Sequence, residues 1–243
     1  MPGLYVHVPF CEHKCIYCDF YSIETFDLHA AYLDAVTREI GMRAAVIAGA
    51  QDVAAPFTSV FLGGGTPSLL TPDEMGRVLG ALRAGFMIAE DAEVTVECNP
   101  GTVDRARLEG FRREGVNRLS FGVQDFDPKV QKAVHRIQPA EKVFALVETA
   151  RALGFESVNV DLIYGLPRQT PESFDKTLAL VEQLRPDRIA LYAYTHLPDR
   201  FKPQRRIHAE ELPGAEAKLS MLSRSLDALM GAGYVYVGMD HFA

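Results

Sequence analysis

The sequence predicts an α/β fold, a partial (β/α)6 barrel with parallel strands, and three observations carry that prediction. Apolar runs rich in β-branched residues fall at 4–8, 58–62, 93–98, 117–123, 156–163 and 188–194, and longer segments with helical spacing, such as Leu28, Tyr32, Ala35 and Ile40, lie between them. Glycine followed by an apolar residue recurs at Gly85-Phe86, Gly115-Val116, Gly154-Phe155 and Gly233-Tyr234, as expected where a left-handed residue ends a helix and releases the chain into a strand. No hairpin signal separates the runs, so the strands should be parallel. Six such units and a further apolar stretch at 234–238 are too little chain for a closed eight-stranded barrel.

The length supports one large core. With 243 residues and 48% hydrophobic content, a single domain over 1–243 is favoured over two smaller ones. No run reaches the apolar length of a membrane span, and Met1-Pro2-Gly3-Leu4 enters a strand pattern without a basic region or cleavage site, so a cytoplasmic location is expected. Reduced thiols there suit an oxygen-sensitive metal centre. Lys and Arg number 25 against 32 Asp and Glu, and a net charge of −7 argues against a nucleic-acid partner. The chain is expected to act as a monomer, and an anionic substrate would need a local basic patch.

In a parallel α/β sheet, functional groups gather at the C-terminal ends of the strands. The first run leads into Cys11-Glu12-His13-Lys14-Cys15-Ile16-Tyr17-Cys18, three soft ligands spaced C-x3-C-x2-C. A structural zinc site would want a fourth ligand, and the only other cysteine, Cys98, lies far along the chain in an apolar run. Three thiolates on a [4Fe–4S] cluster leave one iron open to a small molecule. Two other readings are weaker. A disulfide pair would strand one thiol in a cysteine-poor chain, and zinc completed by His7 or His13 would crowd ring against thiolates.

The second run ends in Gly63-Gly64-Gly65-Thr66-Pro67, where missing side chains let backbone groups approach a ligand or simply make a tight turn. A phosphate loop is excluded for want of its lysine. Helix starts are signed at Thr71-Pro72-Asp73-Glu74, a capping box, and again at Asp127-Pro128 and Thr170-Pro171. The third run ends at Glu97, the fourth at Gln124, the fifth at Asp161 and the sixth at Thr195-His196. Glu97 and Asp161 close apolar strands, where a carboxylate needs a donor or cation; a ligand's hydroxyls or ammonium, or a barrel arginine such as Arg118 or Arg136, would serve. Cys98 reads as a small buried hydrophobe, His135 and His208 as surface side chains, and His7 as either packed or bonded near the cysteine loop. Residues 198–214 form a long basic loop carrying Arg200, Lys202, Arg205 and Arg206.

The cysteine spacing and its flanks, Tyr5-Val6-His7-Val8-Pro9-Phe10 before and Asp19-Phe20 after, resemble the radical S-adenosylmethionine (SAM) enzymes, specifically the oxygen-independent coproporphyrinogen III oxidases and the related radical SAM heme chaperones. The resemblance implies a [4Fe–4S] cluster on Cys11, Cys15 and Cys18, whose open iron binds SAM and passes it an electron, releasing a 5′-deoxyadenosyl radical. It further implies contacts of Tyr5, Tyr17, Gly64 and Glu97 with the cluster-bound SAM, and of Gly65, Thr66, Gln124, Arg136 and Asp161 with a second one. Thr195 stands where the family pattern has a small apolar residue touching the first SAM.

The resemblance is a mosaic. Residues 1–102, with Tyr17-Cys18-Asp19-Phe20-Tyr21-Ser22 and Asn99-Pro100-Gly101-Thr102, look like the chaperone branch. Gly122-Val123-Gln124-Asp125-Phe126, Asp161-Leu162-Ile163-Tyr164-Gly165-Leu166-Pro167, His196-Leu197-Pro198 and Gly238-Met239-Asp240-His241-Phe242-Ala243 look like the oxidase branch. Phe20 replaces a further cysteine of the oxidase pattern, and an N-terminal arm of that pattern is missing. The chain stops inside its last motif, so a longer parent with a C-terminal part is expected. The implied activity is oxidative decarboxylation of coproporphyrinogen III propionates to vinyl groups, fed by an electron donor, with the substrate carboxylates paired to the 198–214 cations unless that loop is only a solvated surface. The alternative is a chaperone that binds heme and delivers it to acceptor proteins.

Overall fold

A computed structural model describes residues 2–25, 27–49 and 55–243; Met1, where the expected single domain begins, lies outside them. Six β/α units follow one another: β1 (Gly3–Val8) and α1 (His29–Ala48), β2 (Phe57–Gly64) and α2 (Pro72–Gly85), β3 (Ile88–Cys98) and α3 (Arg105–Arg113). Then come β4 (Arg118–Gln124) with α4 (Pro128–Ala133) and α5 (Ala140–Ala152), β5 (Ser157–Tyr164) with α6 (Pro171–Leu184), and β6 (Arg188–Ala193) with α7 (Ala215–Gly231). Strands β1 to β6 pair in sequence order and in parallel, as a run of right-handed crossovers requires. The sheet is open, a curled partial barrel with β1 at one edge.

The other edge departs from the all-parallel expectation. Strand β7 (Tyr236–Gly238) and β8 (His241–Phe242) form a hairpin, and β8 joins β6 antiparallel. Its turn is Met239-Asp240, with φ of 48° and 65°. Two left-handed residues in a two-residue loop make the turn whose twist suits a hairpin, normally written Asn-Gly or Asp-Gly. Met-Asp carries no such signal, which is why the sequence concealed it.

Helix signals held with one exception. The Thr71 hydroxyl accepts from the Glu74 N–H and the Glu74 carboxylate accepts from the Thr71 N–H, while Asp127 and Thr170 cap α4 and α6. Gly115, Gly154 and Gly233 are left-handed at 94°, 75° and 97°. Gly85 is not among them. It ends α2 in helical register, and a Cβ there would lie 3.0 Å from that of Ala44, so this glycine admits α1 against α2.

The main core lies between the sheet's outer face and the helices, where Val8, Leu62, Val96, Leu119, Val158 and Ile189 meet Leu79, Phe111, Val143 and Phe174. Each such side chain contributes about 1.5–3 kcal/mol on burial. A smaller cluster of Ile16, Val130, Val134, Leu166, Tyr194 and Ile207 sits under the strand-end loops. The sheet's concave side is polar instead. Glu93 accepts from Arg118 at 2.5 Å and from Arg188 at 2.9 Å, so the ion pair of Arg118 goes to Glu93, while its charge still favours ionised Asp161.

Candidate active site

The strand ends and the cysteine loop enclose a cavity of about 400 Å³, in the range of small-molecule sites. Cys11, Cys15, Tyr17, Cys18, Gly64, Gly65, Thr66, Glu97, Gln124, Arg136, Asp161 and Thr195 all line it. Of the residues expected to contact cofactors, Tyr5 alone is outside that lining; its ring stacks on Phe61 and its hydroxyl pairs with His7 Nδ1 at 3.1 Å.

The cysteine loop has no sheet to hold it. Ile16 anchors it in the smaller apolar cluster, with 2% exposure, and the backbone is stapled by Cys11 N–H to Ile23 O (3.0 Å) and Ile23 N–H to Pro9 O (2.7 Å). Lys14 closes the tip: its N–H donates to Glu24 Oε1 at 2.7 Å and its ammonium to Phe20 O at 3.0 Å. Two donors reach the sulfurs from the barrel. Thr66 Oγ1 lies 3.4 Å from Cys11 Sγ, and Arg136 Nη1 3.5 Å from Cys15 Sγ. The four cysteines are free thiols. Burial pushes Cys18 up to about 11, with Cys15 and Cys11 adding to the rise, so thiolates here call for a cation. Among the described residues, no three His, Cys, Asp or Glu side chains converge on a single metal ion. His7 is committed elsewhere, its Nε2 paired with Tyr21 O at 3.0 Å. Three free thiols meet the three-ligand demand of a cluster with one open iron.

The carboxylate wall is built from strands. Glu97 Oε2 accepts the Gly64 N–H at 3.1 Å, and Asp161 accepts from Ser120 Oγ at 3.1 Å and Asn159 Nδ2 at 2.7 Å. Burial raises both carboxyls, Glu97 to about 7 with Asp161's charge adding, and Asp161 to about 6 against its hydrogen bonds. Gln124, at φ 68°, and Arg136 each leave a buried polar atom, Oε1 and Nε, with no protein partner on this wall. Arg136 Nη2 donates to Gly122 O at 2.6 Å, and a Cβ at Gly122 would come within 3.0 Å of it. Burial disfavours the Arg136 charge, yet Tyr17, Cys15 and Cys18 hold it above the ordinary range.

The glycine turn is required by packing. At Gly65 a Cβ would strike Phe10 O at 2.7 Å, and at left-handed Gly64 the His7 ring at 2.6 Å, so the turn needs them without a ligand; the backbone so bared also lines the cavity. Cys98 is 3% exposed, as a small hydrophobe should be, and burial pushes its thiol up. His135 and His208 are exposed.

The 198–214 loop folds into two 3-10 turns, Lys202–Arg206 and Ala209–Glu211. Arg200, Lys202, Arg205 and Arg206 stand exposed on its outside and do not line the cavity. Sequence reasoning missed Gln204 between them, 1% exposed and in the cavity wall, as well as Ser120 and Asn159 behind Asp161. The alternation Asn159, Asp161, Ile163 was a signal for the last of these.

The radical SAM superfamily profile matches residues 5–181. The oxygen-independent coproporphyrinogen III oxidases of Salmonella typhimurium and Escherichia coli K12 are each 45% identical over 243 residues, covering 99% of this chain, and that of Pseudomonas aeruginosa is 44% identical over 245. The chain spans about half, 52%, of the length of these relatives. The solved coproporphyrinogen III oxidase of Escherichia coli, described as a radical SAM enzyme, superposes with a TM-score of 0.92 at 44% identity, over 99% of this chain and 55% of that one. Methylornithine synthase, at 15% identity and a TM-score of 0.64 over 95% of this chain and 62% of its own, shares the fold.

Proposed function

Because the chain belongs to the radical SAM superfamily, we propose that it is the cofactor-binding core of an enzyme that oxidatively decarboxylates coproporphyrinogen III. The observation that carries this reading is one cavity in which three free thiols face a carboxylate wall, on a chain 45% identical to named oxidases. Cys11, Cys15 and Cys18 would hold a [4Fe–4S] cluster. When bound, such a cluster with SAM would supply the one-electron, hydrogen-abstracting chemistry that the reaction needs.

This chain's residues bind and orient. Glu97 and the Gly64–Thr66 backbone offer acceptors and donors for an amino acid end and its ammonium, and Asp161 offers a carboxylate to ribose hydroxyls. Gln124 Oε1 and Arg136 Nε have unspent hydrogen-bonding capacity toward a second SAM. Tyr17 stays a phenol, since burial holds it well above its usual range. Removal of a hydrogen atom from the carbon next to the propionate carboxymethyl carbon, then loss of CO2 and passage of the remaining electron to a one-electron acceptor, would leave a vinyl group. Arg200, Lys202, Arg205 and Arg206 would meet the substrate's peripheral carboxylates from outside the cavity. The enzyme would be a cytoplasmic monomer fed by an electron donor. Among the described residues no helix is long and apolar enough to cross a membrane.

The oxidases cited above align along this chain's first hundred residues as well as its later motifs, so the heme chaperone is not favoured. One anaerobic assay of the full-length gene product separates the two. With SAM, reductant and coproporphyrinogen III, CO2 and 5′-deoxyadenosine are expected; tight heme binding without CO2 release overturns the oxidase.

A further inference from the structure

We infer that Gln204 is a positioning residue that ties the basic turn to the loop of metal ligands, so that an anion held by the turn is felt at the thiols; the identity of that anion rests on the proposed reaction. The observation is a glutamine in the wrong company. Its neighbours Arg205 and Arg206 are exposed, yet Gln204 is buried, and every hydrogen bond of its amide goes to main chain. Oε1 accepts the Leu197 N–H at 2.6 Å, while Nε2 donates to Tyr17 O at 3.1 Å and to Thr195 O at 3.3 Å. Tyr17 stands between Cys15 and Cys18. Its carbonyl is therefore part of the ligand loop, gripped by a residue 187 positions further along the chain.

Two neighbours strengthen the grip independently. Arg206 Nη2 pairs with His135 Nδ1 at 3.1 Å, and the next residue, Arg136, donates to Cys15 Sγ. Ile207, 6% exposed, packs in the same small cluster as Ile16 of the ligand loop. Gln204 and Ile207 thus reach Tyr17 and Ile16 of the ligand loop, and Arg206 holds His135, the neighbour of the arginine that reaches Cys15. The cations Lys202 and Arg205 face outward from the same turn and Arg200 from the chain just before it, Arg205 bonded to Pro198 O at 2.9 Å. A carboxylate that draws on them loads a rigid turn whose inner side is fastened to the ligands. Both amide ends are needed. A carboxylate in place of the amide would still accept from Leu197 but would set an acceptor against two carbonyls.

The test compares wild type with Gln204→Glu and Gln204→Leu by amide hydrogen exchange, with and without coproporphyrin III, the stable tetracarboxylate. In the Glu variant, which loses the donations to Tyr17 O and Thr195 O, amides of 11–18 are expected to exchange about tenfold faster, the worth of the bond to Tyr17 O, while those of β2 to β5 are unchanged. Coproporphyrin III should slow exchange at 11–18 in wild type and not in the variant. After reconstitution, the reduced cluster's electron paramagnetic resonance signal should move on porphyrin addition in wild type alone. Failure of wild type to bind the porphyrin would sink the substrate reading, and faster exchange confined to 11–18 would still support the tie. Exchange raised uniformly, or unchanged at 11–18, overturns the inference, as does a variant that loses thermal stability but keeps the porphyrin-induced changes. If the Leu variant does not fold, the Glu variant, which keeps the Leu197 bond, decides.

Discussion

The two walls of the cavity are built differently. The carboxylate wall is made of strand ends, where Glu97 pairs with Ser120 of β4 and Asp161 with Gly122 of β4 and Ala190 of β6, all in parallel. The thiol wall is a loop held by Ile16, a few backbone bonds and three long-range donors, Thr66, Arg136 and Gln204. A strand end can carry a costly charged group because the sheet prevents it from withdrawing. A loop that is proposed to wrap a metal centre arriving after synthesis needs few, reversible tethers instead.

The largest effect expected from this difference is on the loop. Replacing Cys11, Cys15 and Cys18 together with Ala should take iron, after anaerobic reconstitution, from about four per chain to none, and leave the far-ultraviolet circular dichroism of the sheet and helices unchanged. Loss of helical signal would show the loop to be part of the core. Zinc without iron in the wild type after anaerobic purification would remove the cluster altogether.

The strand wall should show the opposite pattern, function bought with stability. Glu97 is raised from 4.5 to about 7 and Asp161 from 3.8 to about 6, burial being the first cause of each. Between the lower and upper value of each pair the folded state binds more protons than the unfolded, so stability is full below about pH 4 and falls as pH rises to about 7. Glu97→Gln should remove its part of that slope and stabilise the ligand-free protein above pH 7 by on the order of 2–3 kcal/mol. SAM affinity should meanwhile fall about ten- to a hundredfold, the loss of a charged hydrogen-bond partner. Denaturant melts across pH and calorimetry with SAM read the two effects. Unchanged affinity would return Glu97 to a purely structural place.

Behind the strand wall, Asp125 should matter next. Its carboxylate accepts from Thr177 Oγ1 at 2.6 Å, Gln169 Nε2 at 2.5 Å and the Asp127 N–H at 2.7 Å, joining the ends of β4 and β5 to α6. Asp125→Asn must turn a donor toward donors, and a loss of about 1–3 kcal/mol is expected in denaturant melts. A neutral result would mean that the sheet alone fixes these loops.

The same contrast decides what the sequence disclosed. The C-x3-C-x2-C spacing, the strand-ending Glu97 and Asp161 and the helix caps are local patterns, and each was legible because the residues that act together are neighbours or close a recognisable strand. Gln204 was not, for its partner Tyr17 is 187 residues away and its own surroundings spell a basic surface. Arg136 was named as a barrel arginine and, by family resemblance, as a SAM contact, and its hold on Cys15 came only from the fold. The β7–β8 hairpin hid behind an atypical turn, and Gly85 behind a close helix contact that imitates a helix stop in sequence. Side-chain choices dictated by distant chain escape a reading that looks along it.

The smallest expected effect isolates the stiffness of the strand wall. Thr71 caps α2 immediately beyond the Gly63–Pro67 turn, and its reciprocal bonds with Glu74 satisfy one of the helix's otherwise open N–H groups. Thr71→Ala should cost about 1 kcal/mol of stability, the usual worth of such a cap. Gly65 N–H and Thr66 N–H remain bonded to Val8 O at 2.8 Å and Phe10 O at 2.7 Å, and Gly64 stays paired in β2. Those bonds, not the helix, set the backbone that faces the cavity. SAM affinity of the Thr71→Ala protein should therefore match wild type by calorimetry while its denaturant midpoint falls. A drop in affinity accompanying the drop in stability would show that the glycine turn takes its shape from α2, and the two walls would then differ less in rigidity than their construction implies.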